Sequence, residues 1–407
     1  MTRMATAPSS PDAMRGPGSM RRANEWAVLH RLYAQQPASA PQLAADTGLS
    51  RPTVNLALAN LEGAGLIRQT GVRSGRAGRA PRLWEPHPDA GRILAADIGV
   101  RWTRLVLADL AGNVLARRRE RSRVSDATRL VRQLGELIAE VLRERHVSPD
   151  EVRALVVGSP GYFDPAEERL RSASNLPGWE RPSMVAQLTA ELGDLGDRLA
   201  FENDIDLAAA GEQSAGLGRG VRDFVYLHIG SGVGMGTVID GKLHRGAHGA
   251  AGEVAFLPIG DVAPHTRERG ALETAAAADA IVASARREGL RTAETAADVV
   301  DAARAGRKPA VRAMDGQLDL WARAVLSVTA VVDPELVVLG GGVGAHAEFL
   351  LDGLRDRLTA LTPLPLPELA VSAAGEEATL LGGLAHATDA GRLRAYERYA
   401  GRHTPAR

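Results

Sequence analysis

The chain has 407 residues, with 49 basic and 49 acidic side chains and no cysteine. This length suffices for two or three domains, each with its own core. The absence of cysteine excludes disulfides and thiolate metal sites. No run of about 18 apolar residues is present, and the N-terminal residues lack the apolar segment of a signal peptide. We therefore expect a cytoplasmic protein without a membrane partner.

The zero net charge conceals an uneven distribution. Residues 1–92 contain twelve arginines and no lysine against six acidic residues, so this segment carries +6 and the remainder −6. A basic segment joined to an acidic body is typical of a polyanion-binding head on a body that has another task.

The N-terminal segment predicts a disordered arm followed by three short helices. Residues 1–20 are rich in Pro, Ser, Gly and Met and show no periodicity, which is typical of a disordered arm. Apolar residues then recur at helical spacing from Trp26, and this first helix ends before Pro37. A second helix fits residues 40–47, and Ser50 is a good N-cap for a third.

Two short strands are predicted next, at 66–69 and 83–85, around a loop rich in Gly and Arg. Three helices and a two-stranded ribbon form the winged helix-turn-helix plan, here spanning residues 21–86. In this plan the first turn of the third helix enters the major groove, and the wing contacts phosphates or a narrow minor groove. The predicted base-reading residues are Arg51, Thr53 and Asn55, and the predicted wing residues are Arg73, Arg76 and Arg79. The alternative is a small helical dimerisation module with a solvated basic loop.

The rest of the chain contains an internal duplication. Residues 93–117 predict three strands separated by tight turns, of which the first is Asp97-Ile-Gly99. Residues 224–245 repeat this pattern 131 positions later, counted from Gly99 to Gly230. Helices and buried strands are predicted after both units. We therefore expect two similar α/β lobes that face each other across a cleft, and a closing helix that packs back on the first lobe.

Two kinds of motif in this body suggest chemistry. The glycine run 230–236, and the glycines 340–342 after a buried strand, are typical of loops that approach nucleotide phosphates closely. A tight hairpin in any sheet also favours glycine, however. Glu202-Asn203-Asp204, at the end of a predicted strand, suits phosphoryl transfer to an alcohol, with Asp204 accepting the proton. The alternative for this trio is a helix cap.

Together these motifs resemble the ROK family of repressors, open reading frames and sugar kinases. The matching segments occur in the family's order, and they are specific in combination although not singly. They are Asp97-Ile-Gly99, Asn175 to Trp179, Glu202-Asn203-Asp204, the glycine run 230–236, Gly246 to Glu253, Gly270 to Glu273, and Leu339 to Gly342. With a winged helix in front, the chain is similar to the family's transcriptional regulators, such as the xylose and N-acetylglucosamine repressors.

The resemblance implies an α/β, two-lobed actin/hexokinase-like (RNase H-like) fold behind the winged head. The lobes would span residues 92–204 and 205–375, followed by a C-terminal helix at 376–395. A sugar would occupy the interlobe cleft, with contacts from Asn175, Asn203, Asp204, Glu253 and Glu273. A residual nucleotide loop would be formed by Asp97, Gly99, Gly230, Gly232, Gly234 and Gly341. Asp204 also matches the catalytic base of the family's kinases.

The sequence departs from the family's kinases at two places. The small residues that follow the first Asp-x-Gly turn in kinases are replaced by Val100, Arg101 and Trp102, whose bulk would obstruct nucleotide phosphates. The positions of the family's zinc ligands hold residues that cannot form a tetrahedral zinc site, namely Pro264, Thr266, Ala271 and Phe256. We therefore expect no enzyme activity, no metal and no ATP cofactor.

The leading hypothesis is a sugar-responsive repressor that binds double-stranded operator DNA as a homodimer or a dimer of dimers. A carbohydrate effector that closes the cleft would reorient the two heads. Two alternatives stay open. One is an ATP-dependent sugar kinase that carries a DNA-binding head, and the other is a regulator that no longer binds any ligand.

Overall fold

The computed structural model describes residues 19–72, 81–124, 126–164, 167–173 and 176–402. Its N-terminal unit, the head, combines three helices with a three-stranded antiparallel sheet in the order β1-β3-β2. The helices are α1 (Ser19–Ala34), α2 (Ala40–Thr47) and α3 (Arg51–Gly63), and the strands are β1 (Ala38–Ser39), β2 (Ile67–Val72) and β3 (Arg82–Pro86).

Local chemistry fixes the turn between α2 and α3. Gly48 closes α2 in the left-handed conformation, with φ of 70°, which glycine adopts without steric penalty. Ser50 then caps α3, because its hydroxyl oxygen accepts from the backbone N–H of Thr53 at 3.3 Å. The apolar side of α3 is buried, and this leaves Arg51 and Asn55 exposed on its first turns.

The first lobe of the body, lobe 1, is built on a five-stranded sheet in the order β10-β7-β4-β5-β6. Strands β4 to β6 pair antiparallel, and β7 and β10 run parallel to β4. The strands are β4 (Arg92–Ile98), β5 (Trp102–Asp109), β6 (Val114–Arg121), β7 (Val152–Ser159) and β10 (Leu199–Asn203). Lobe 1 also contains α4 (Ala127–Glu144), α5 (Met184–Leu192) and a ribbon of β8 (Tyr162–Asp164) and β9 (Arg169–Arg171).

Lobe 2 repeats this plan with the sheet order β13-β12-β11-β14-β15. Its strands are β11 (Phe224–Ile229), β12 (Val233–Ile239), β13 (Lys242–Leu243), β14 (Leu336–Gly340) and β15 (Glu368–Val371). Its helices are α7 (Ala271–Ala276), α8 (Ala278–Arg287), α9 (Ala296–Arg304), α10 (Lys308–Val332), α11 (Gly341–Gly344) and α12 (Leu351–Leu361). Each sheet therefore has three antiparallel hairpin strands followed by two parallel ones, which is the duplication that the sequence predicts.

Two helices connect the parts of the molecule. Helix α6 (Asp204–Ala215) follows β10 and contacts strands of both sheets, while α13 (Ala378–Arg402) packs against α6 and against β4 and β7 of lobe 1. The two helices approach closely, because a Cβ at Gly382 would lie only 1.8 Å from the carbonyl oxygen of Leu207. Glycine at this position therefore allows α6 and α13 to pack with their backbones in contact.

The structure corrects two predicted boundaries. Ser19 and Met20 belong to α1 and not to a disordered arm, and residues 1–18 lie outside the described part of the chain. The C-terminal helix does not end at residue 395 but continues to Arg402. Its last turns bury Tyr396 and Tyr399 in a core that also contains residues of the head, so these turns are stabilised by a partner far away in the sequence. None of the helices in the described ranges combines the length and apolar character that a membrane span requires.

Candidate functional site

The exposed face of α3 contains the residues predicted to read DNA. Arg51 and Asn55 point to solvent, whereas the hydroxyl of Thr53 lies 2.7 Å from that of Ser50 and is part of the helix cap. Leu56, which sequence reasoning missed, is 58% exposed beside them. Such an exposed leucine suits contact with a thymine methyl group in the major groove. The predicted wing residues lie outside the described residues; they are Arg73, Arg76 and Arg79.

The head is joined to the body through a buried carboxylate on α1. Glu25 is 1% exposed, and its carboxylate oxygens accept from Asn60 Nδ2 on α3 at 2.8 Å and from the Tyr396 hydroxyl on α13 at 3.0 Å. Burial and the charge of Glu25 raise the pKa of Tyr396, so this phenol remains protonated and donates. Trp26 packs against the ring of Tyr396 with centroids 5.5 Å apart. One side chain of α1 therefore connects the base-reading helix with the C-terminal helix.

In the body, the three residues Glu202-Asn203-Asp204 at the end of β10 have different roles. Asn203 caps α6, since its Oδ1 accepts from the backbone N–H groups of Ile205 and Asp206 at 2.8 and 3.0 Å. Its Nδ2 donates to the carbonyl oxygen of Gly161 at 2.9 Å. The alternative of a helix cap thus holds for Asn203, and it places Asp204 as the first residue of α6.

Two of the predicted sugar-contacting carboxylates are half-buried and close enough for their charges to interact. Burial raises the pKa of Asp204 to about 6. Burial, followed by the charges of Asp204 and Glu273, raises the pKa of Glu253 to about 7. Hydroxyl groups that donate to these oxygens would relieve the desolvation that raises both pKa values. This part of the cleft is therefore chemically suited to a polyhydroxylated ligand.

The remaining two predicted sugar contacts are Glu273 and Asn175. Glu273 is bound within the protein, because its Oε2 accepts from the backbone N–H of Val233 at 2.9 Å and its Oε1 from Arg269 Nε at 3.1 Å. A sugar would have to compete with these contacts or use the remaining lone pairs of the carboxylate. Asn175 lies outside the described residues.

A buried ion pair beside these carboxylates was not predicted. Arg245 Nε donates to both carboxylate oxygens of Glu202 at 3.0 Å, and the side chain of Glu202 is only 5% exposed. Asp206 lies nearby, and burial followed by the charge of Glu202 raises its pKa well above the ordinary value. The arginine follows β13 and lies 43 residues from its partner, so no local pattern indicates the pair. The ion pair holds the end of β10 in place, directly before Asp204.

The side of the cleft that the resemblance assigns to nucleotide is occupied by the chain's own side chains. Asp97, at the end of β4, accepts from Arg104 Nη1 at 3.4 Å, and Arg104 also binds Glu376 just before α13. Burial is the main reason that the pKa of Asp97 is raised to about 7. After the turn at Gly99, Trp102 lies under the guanidinium of Arg119, 4.2 Å from the ring centroid.

The glycines of this region have packing partners inside the protein. A Cβ at Gly230 would lie 2.7 Å from Nε2 of His228, and one at Gly341 would lie 2.9 Å from the same nitrogen. A Cβ at Gly234 would meet the Cδ1 of Ile205 on α6 at 2.4 Å, and one at Gly232 would meet Glu273 at 2.7 Å. These glycines therefore make room for neighbouring side chains, which explains them without a bound nucleotide.

Comparison with known proteins decides the family. The family model described as the ROK family matches residues 93–390, which is more than half of the chain. The chain belongs to the ROK family. A second model, described as the MarR family, matches residues 20–80 in the head.

This ROK protein is similar both to regulators and to kinases. The xylose repressor of Caldicellulosiruptor bescii is 24% identical over 354 residues, which cover 83% of this chain and 87% of that protein. The glucokinase of Thermotoga maritima is 28% identical over 284 residues, which cover 66% of this chain and 87% of that protein. The match to the xylose repressor is longer than the body, whereas the match to the glucokinase has a length that fits the body.

Solved structures confirm the predicted fold class. A ROK family transcriptional regulator, a homolog of the Escherichia coli Mlc protein, superimposes with a TM-score of 0.76 at 21% identity, over 93% of this chain and 99% of that chain. The ROK hexokinase from Thermus thermophilus superimposes with a TM-score of 0.59 at 26% identity, over 73% of this chain and 97% of that chain. The body thus has the two-lobed actin-like kinase fold, behind a winged helix.

The zinc site that the ROK resemblance implies does not fit the residues present. Thr266 is buried and its hydroxyl donates to the carbonyl of Ala263 at 2.9 Å, Pro264 has no donor atom for a metal, and Phe256 is a 47% exposed phenyl ring. A tetrahedral zinc site needs thiolate, imidazole or carboxylate ligands. This segment of the ROK fold is therefore held here by backbone turns and apolar contacts.

Proposed function

We propose that this ROK protein is a sugar-responsive transcriptional repressor. The single observation that carries the proposal is the continuous contact between the cleft and the base-reading helix, through α6, α13 and Glu25. The similarity to xylose repressors and the match of the head to the MarR model support it. We further propose that it acts as a homodimer or a dimer of dimers, with a carbohydrate effector, without ATP or zinc.

The sugar end of this route is the first residue of α6. A carbohydrate that donates hydroxyl groups to Asp204 and Glu253 would bind both lobes at once, because Asp204 follows the lobe 1 sheet and Glu253 follows β13 of lobe 2. Two carboxylates that accept from neighbouring hydroxyls discriminate between sugar epimers. Such a ligand stabilises the closed arrangement of the lobes in preference to the open one.

The route to the head runs along α13. Thr379 Oγ1 donates to the carbonyl oxygen of Asp204 at 3.0 Å, so the start of α13 is fixed to the start of α6. Tyr396 lies about 25 Å further along the same helix, where it donates to Glu25. Arg392 packs over the ring of Tyr33 on α1 at 4.1 Å. A rotation of α13 therefore moves α1, and a coupling of about 1 to 3 kcal/mol would be enough to release operator DNA.

Fluorescence anisotropy with the chain's own upstream DNA and a panel of sugars tests this proposal. We expect nanomolar to micromolar binding at moderate salt, and release by one sugar or a small group of related sugars. The variant Arg51→Ala/Asn55→Ala should lose DNA binding while the thermal shift caused by that sugar stays unchanged. Binding to none of the fragments, or binding that no sugar alters, would contradict the proposal.

The second candidate function is an ATP-dependent sugar kinase that carries a DNA-binding head. Asp204, half-buried directly after β10 with a pKa raised to about 6, favours it, because a proton acceptor at this place is what phosphoryl transfer needs. The side chains that occupy the nucleotide side of the cleft oppose it. A coupled ADP-release assay with a hexose panel separates the two candidates. Turnover that is lost in Asp204→Asn would establish the kinase.

A further inference from the structure

The ion pair between Arg245 and Glu202 connects the two lobes, and we call it the interlobe pair. Arg245 lies in lobe 2, after β13, and Glu202 lies in β10 of lobe 1. The arginine Nε donates to both carboxylate oxygens at 3.0 Å, and its Nη2 donates to Oε2 at 2.5 Å. The two side chains are 18% and 5% exposed, so solvent screens their attraction little. A guanidinium that binds a carboxylate through two nitrogens fixes both the separation and the relative orientation of the groups.

The backbone of Arg245 closes the loop that leads to Glu253. Its carbonyl oxygen accepts from the N–H of Ala251 at 3.1 Å, and the carbonyl oxygen of Gly252 accepts from the N–H of Met235 in β12 at 3.0 Å. A Cβ at Gly252 would lie only 1.9 Å from the carbonyl oxygen of Met235. Glycine at this position, with φ of 88°, therefore allows the loop to lie directly against β12. Glu253 is the next residue, so its place depends on where Arg245 and β12 hold the loop.

On the other side of the interlobe pair, Glu202 is fixed within the lobe 1 sheet. It lies in β10, which pairs in parallel with β7 from its first residue to its last. Asp204 lies two positions after Glu202, and Glu253 lies eight positions after Arg245. The interlobe pair therefore joins the two chain segments that carry the proposed sugar acceptors.

The titratable groups beside the interlobe pair compete weakly with it near neutral pH. Asp206 on α6 is 3% exposed, and burial followed by the charge of Glu202 raises its pKa well above the ordinary value. His386 on α13 places its Nδ1 3.8 Å from the carboxylate of Glu202, and burial lowers the pKa of this imidazole. Both shifts favour the uncharged form of the group. Arg245 therefore supplies the positive charge that Glu202 meets inside the protein.

We propose that Arg245 is a positioning residue of the sugar site, and that its pair with Glu202 sets the separation of Asp204 from Glu253. This inference rests on the sugar site of the proposed function. Arg245 acts through the loop and through Glu202, to which its Nε and Nη2 are bound. Epimers differ in the direction of one hydroxyl group, so two acceptors from different lobes distinguish them only when the separation of the acceptors is fixed. The interlobe pair thus determines selectivity between epimers.

Calorimetry of the full chain with two sets of epimers tests the proposal. The sugars are glucose with mannose and galactose, and xylose with lyxose. The test variant is Arg245→Gln/Glu202→Gln, which removes both charges and leaves no buried charge unpaired. We expect the best-bound sugar to lose about tenfold in affinity while its epimers bind about as before. The affinity ratio between epimers, which measures selectivity, should therefore fall about tenfold.

The matched control is Arg357→Gln/Asp319→Asn, which removes an ion pair within lobe 2. Arg357 on α12 donates from Nε to Oδ1 of Asp319 on α10 at 2.7 Å, and the arginine side chain is 24% exposed. We expect this variant to keep the affinity ratio of the unchanged chain. If circular dichroism shows that the test variant is unfolded, Glu202→Asp supplies the comparison, because it keeps both charges and shortens the carboxylate side chain by one methylene group.

The outcomes separate this proposal from the proposed function. A ratio that falls in the test variant and not in the control supports the proposal. If the test variant binds every sugar more weakly by the same factor, the interlobe pair only holds the fold together, and the proposal is overturned although the sugar site stands. An equal ratio in the test variant and the unchanged chain overturns it in the same way. If the unchanged chain binds none of these sugars, the sugar site itself is contradicted, and the proposal fails with it.

Discussion

The two sides of the interlobe cleft differ in what lies beside their carboxylates. On the proposed sugar side, Asp204 and Glu253 are half-buried carboxylates whose pKa values are raised to about 6 and about 7. On the nucleotide side, the buried carboxylate of Asp97 lies 3.4 Å from Nη1 of Arg104, and His228 lies against Gly230. Asp204 and Glu253 can accept from a ligand, whereas Asp97 has an arginine of the chain itself beside it.

This difference shows how a kinase fold can serve as a sensor. We propose that a sugar bridges the two lobes, and this binding requires acceptor groups on the sugar side. Beside the first hairpin turn, the guanidinium of Arg119 lies over the ring of Trp102, and we propose that this stack leaves less space for nucleotide phosphates. The contrast predicts large functional effects from changes on the sugar side, and effects on stability alone from changes on the nucleotide side.

The largest effect should come from Asp204→Asn. The amide is uncharged and has one acceptor oxygen instead of two, so we expect sugar binding to weaken about a hundredfold or more. DNA affinity without sugar should stay within about twofold, because α3 contributes its contacts independently. Calorimetry with the inducing sugar and anisotropy with operator DNA measure the two quantities.

A matched control for this change is Asp240→Asn, in the exposed turn between β12 and β13. Asparagine tolerates the left-handed conformation of this residue, whose φ is 52°. It should leave both affinities unchanged. If Asp204→Asn bound the sugar as well as the unchanged chain does, the sugar side would have been assigned to the wrong residues.

The next largest effect should come from Tyr396→Phe. This change removes one of the donors to the buried carboxylate of Glu25, and we expect a loss of about 1 to 3 kcal/mol in the free energy of unfolding. Sugar affinity should be unchanged, but sugar should release operator DNA less effectively. Tyr226→Phe is the control, since Tyr226 is an equally buried phenol inside lobe 2. An equal loss of coupling in both variants would contradict the route through α13.

Sequence patterns predicted the elements whose stability is local. The second helix of the head was predicted at residues 40–47, and α2 spans Ala40–Thr47. The strand, turn and strand around Asp97 and around Gly230 are predicted from apolar runs bounded by glycine, and these runs form buried strands. The duplication and the family motifs then sufficed for the fold class.

The remaining features depend on contacts between distant residues, which no local pattern encodes. Glu25 looks like one more surface charge on α1 until Tyr396 covers it, 371 residues later in the chain. The last turns of α13 bury their aromatic residues against the head, so the end of this helix cannot be placed without the head. His228 occurs within a strand, and its effect on the glycines appears only when β11 and the turn after β14 meet.

The glycine run has two explanations, close packing against neighbouring side chains and close approach to a nucleotide. A smaller effect, on stability only, should separate them. Gly230→Ala places a methyl group 2.7 Å from His228, and we expect it to lower the free energy of unfolding by about 1 to 3 kcal/mol. In a His228→Ala background the same change should be nearly neutral, which gives a coupling energy of at least about 1 kcal/mol. Chemical denaturation of the four proteins measures this cycle.

The control for this cycle is Gly316→Ala, within α10, where a Cβ meets nothing within 4 Å. Alanine at a helical position without close neighbours should stabilise the chain by about 0.5 to 1 kcal/mol. If Gly230→Ala were harmless in both backgrounds, His228 would not be the reason for the glycine, and a role in ligand approach would regain support.

The pH dependence of sugar binding tests the same two carboxylates. Hydroxyl groups donate to the ionised forms of Asp204 and Glu253, whose pKa values are about 6 and about 7 in the free protein. Binding must therefore release protons below these values, so affinity should rise from pH 5 to pH 8, by at most about tenfold per pH unit for each linked proton. Calorimetry in buffers of different ionisation enthalpy measures the released protons directly.

The same carboxyl groups predict the opposite slope for the stability of the free protein. An acid whose pKa is raised by folding binds more protons in the folded state than in the unfolded state between its two pKa values. Its contribution is thus present at low pH and is lost as pH rises from about 4 to about 7. Glu253→Gln should flatten both slopes while the sugar still meets Asp204. A sugar affinity that fell with rising pH would mean that protonated carboxyl groups donate to the ligand, and the sugar side would then select acceptors, not donors.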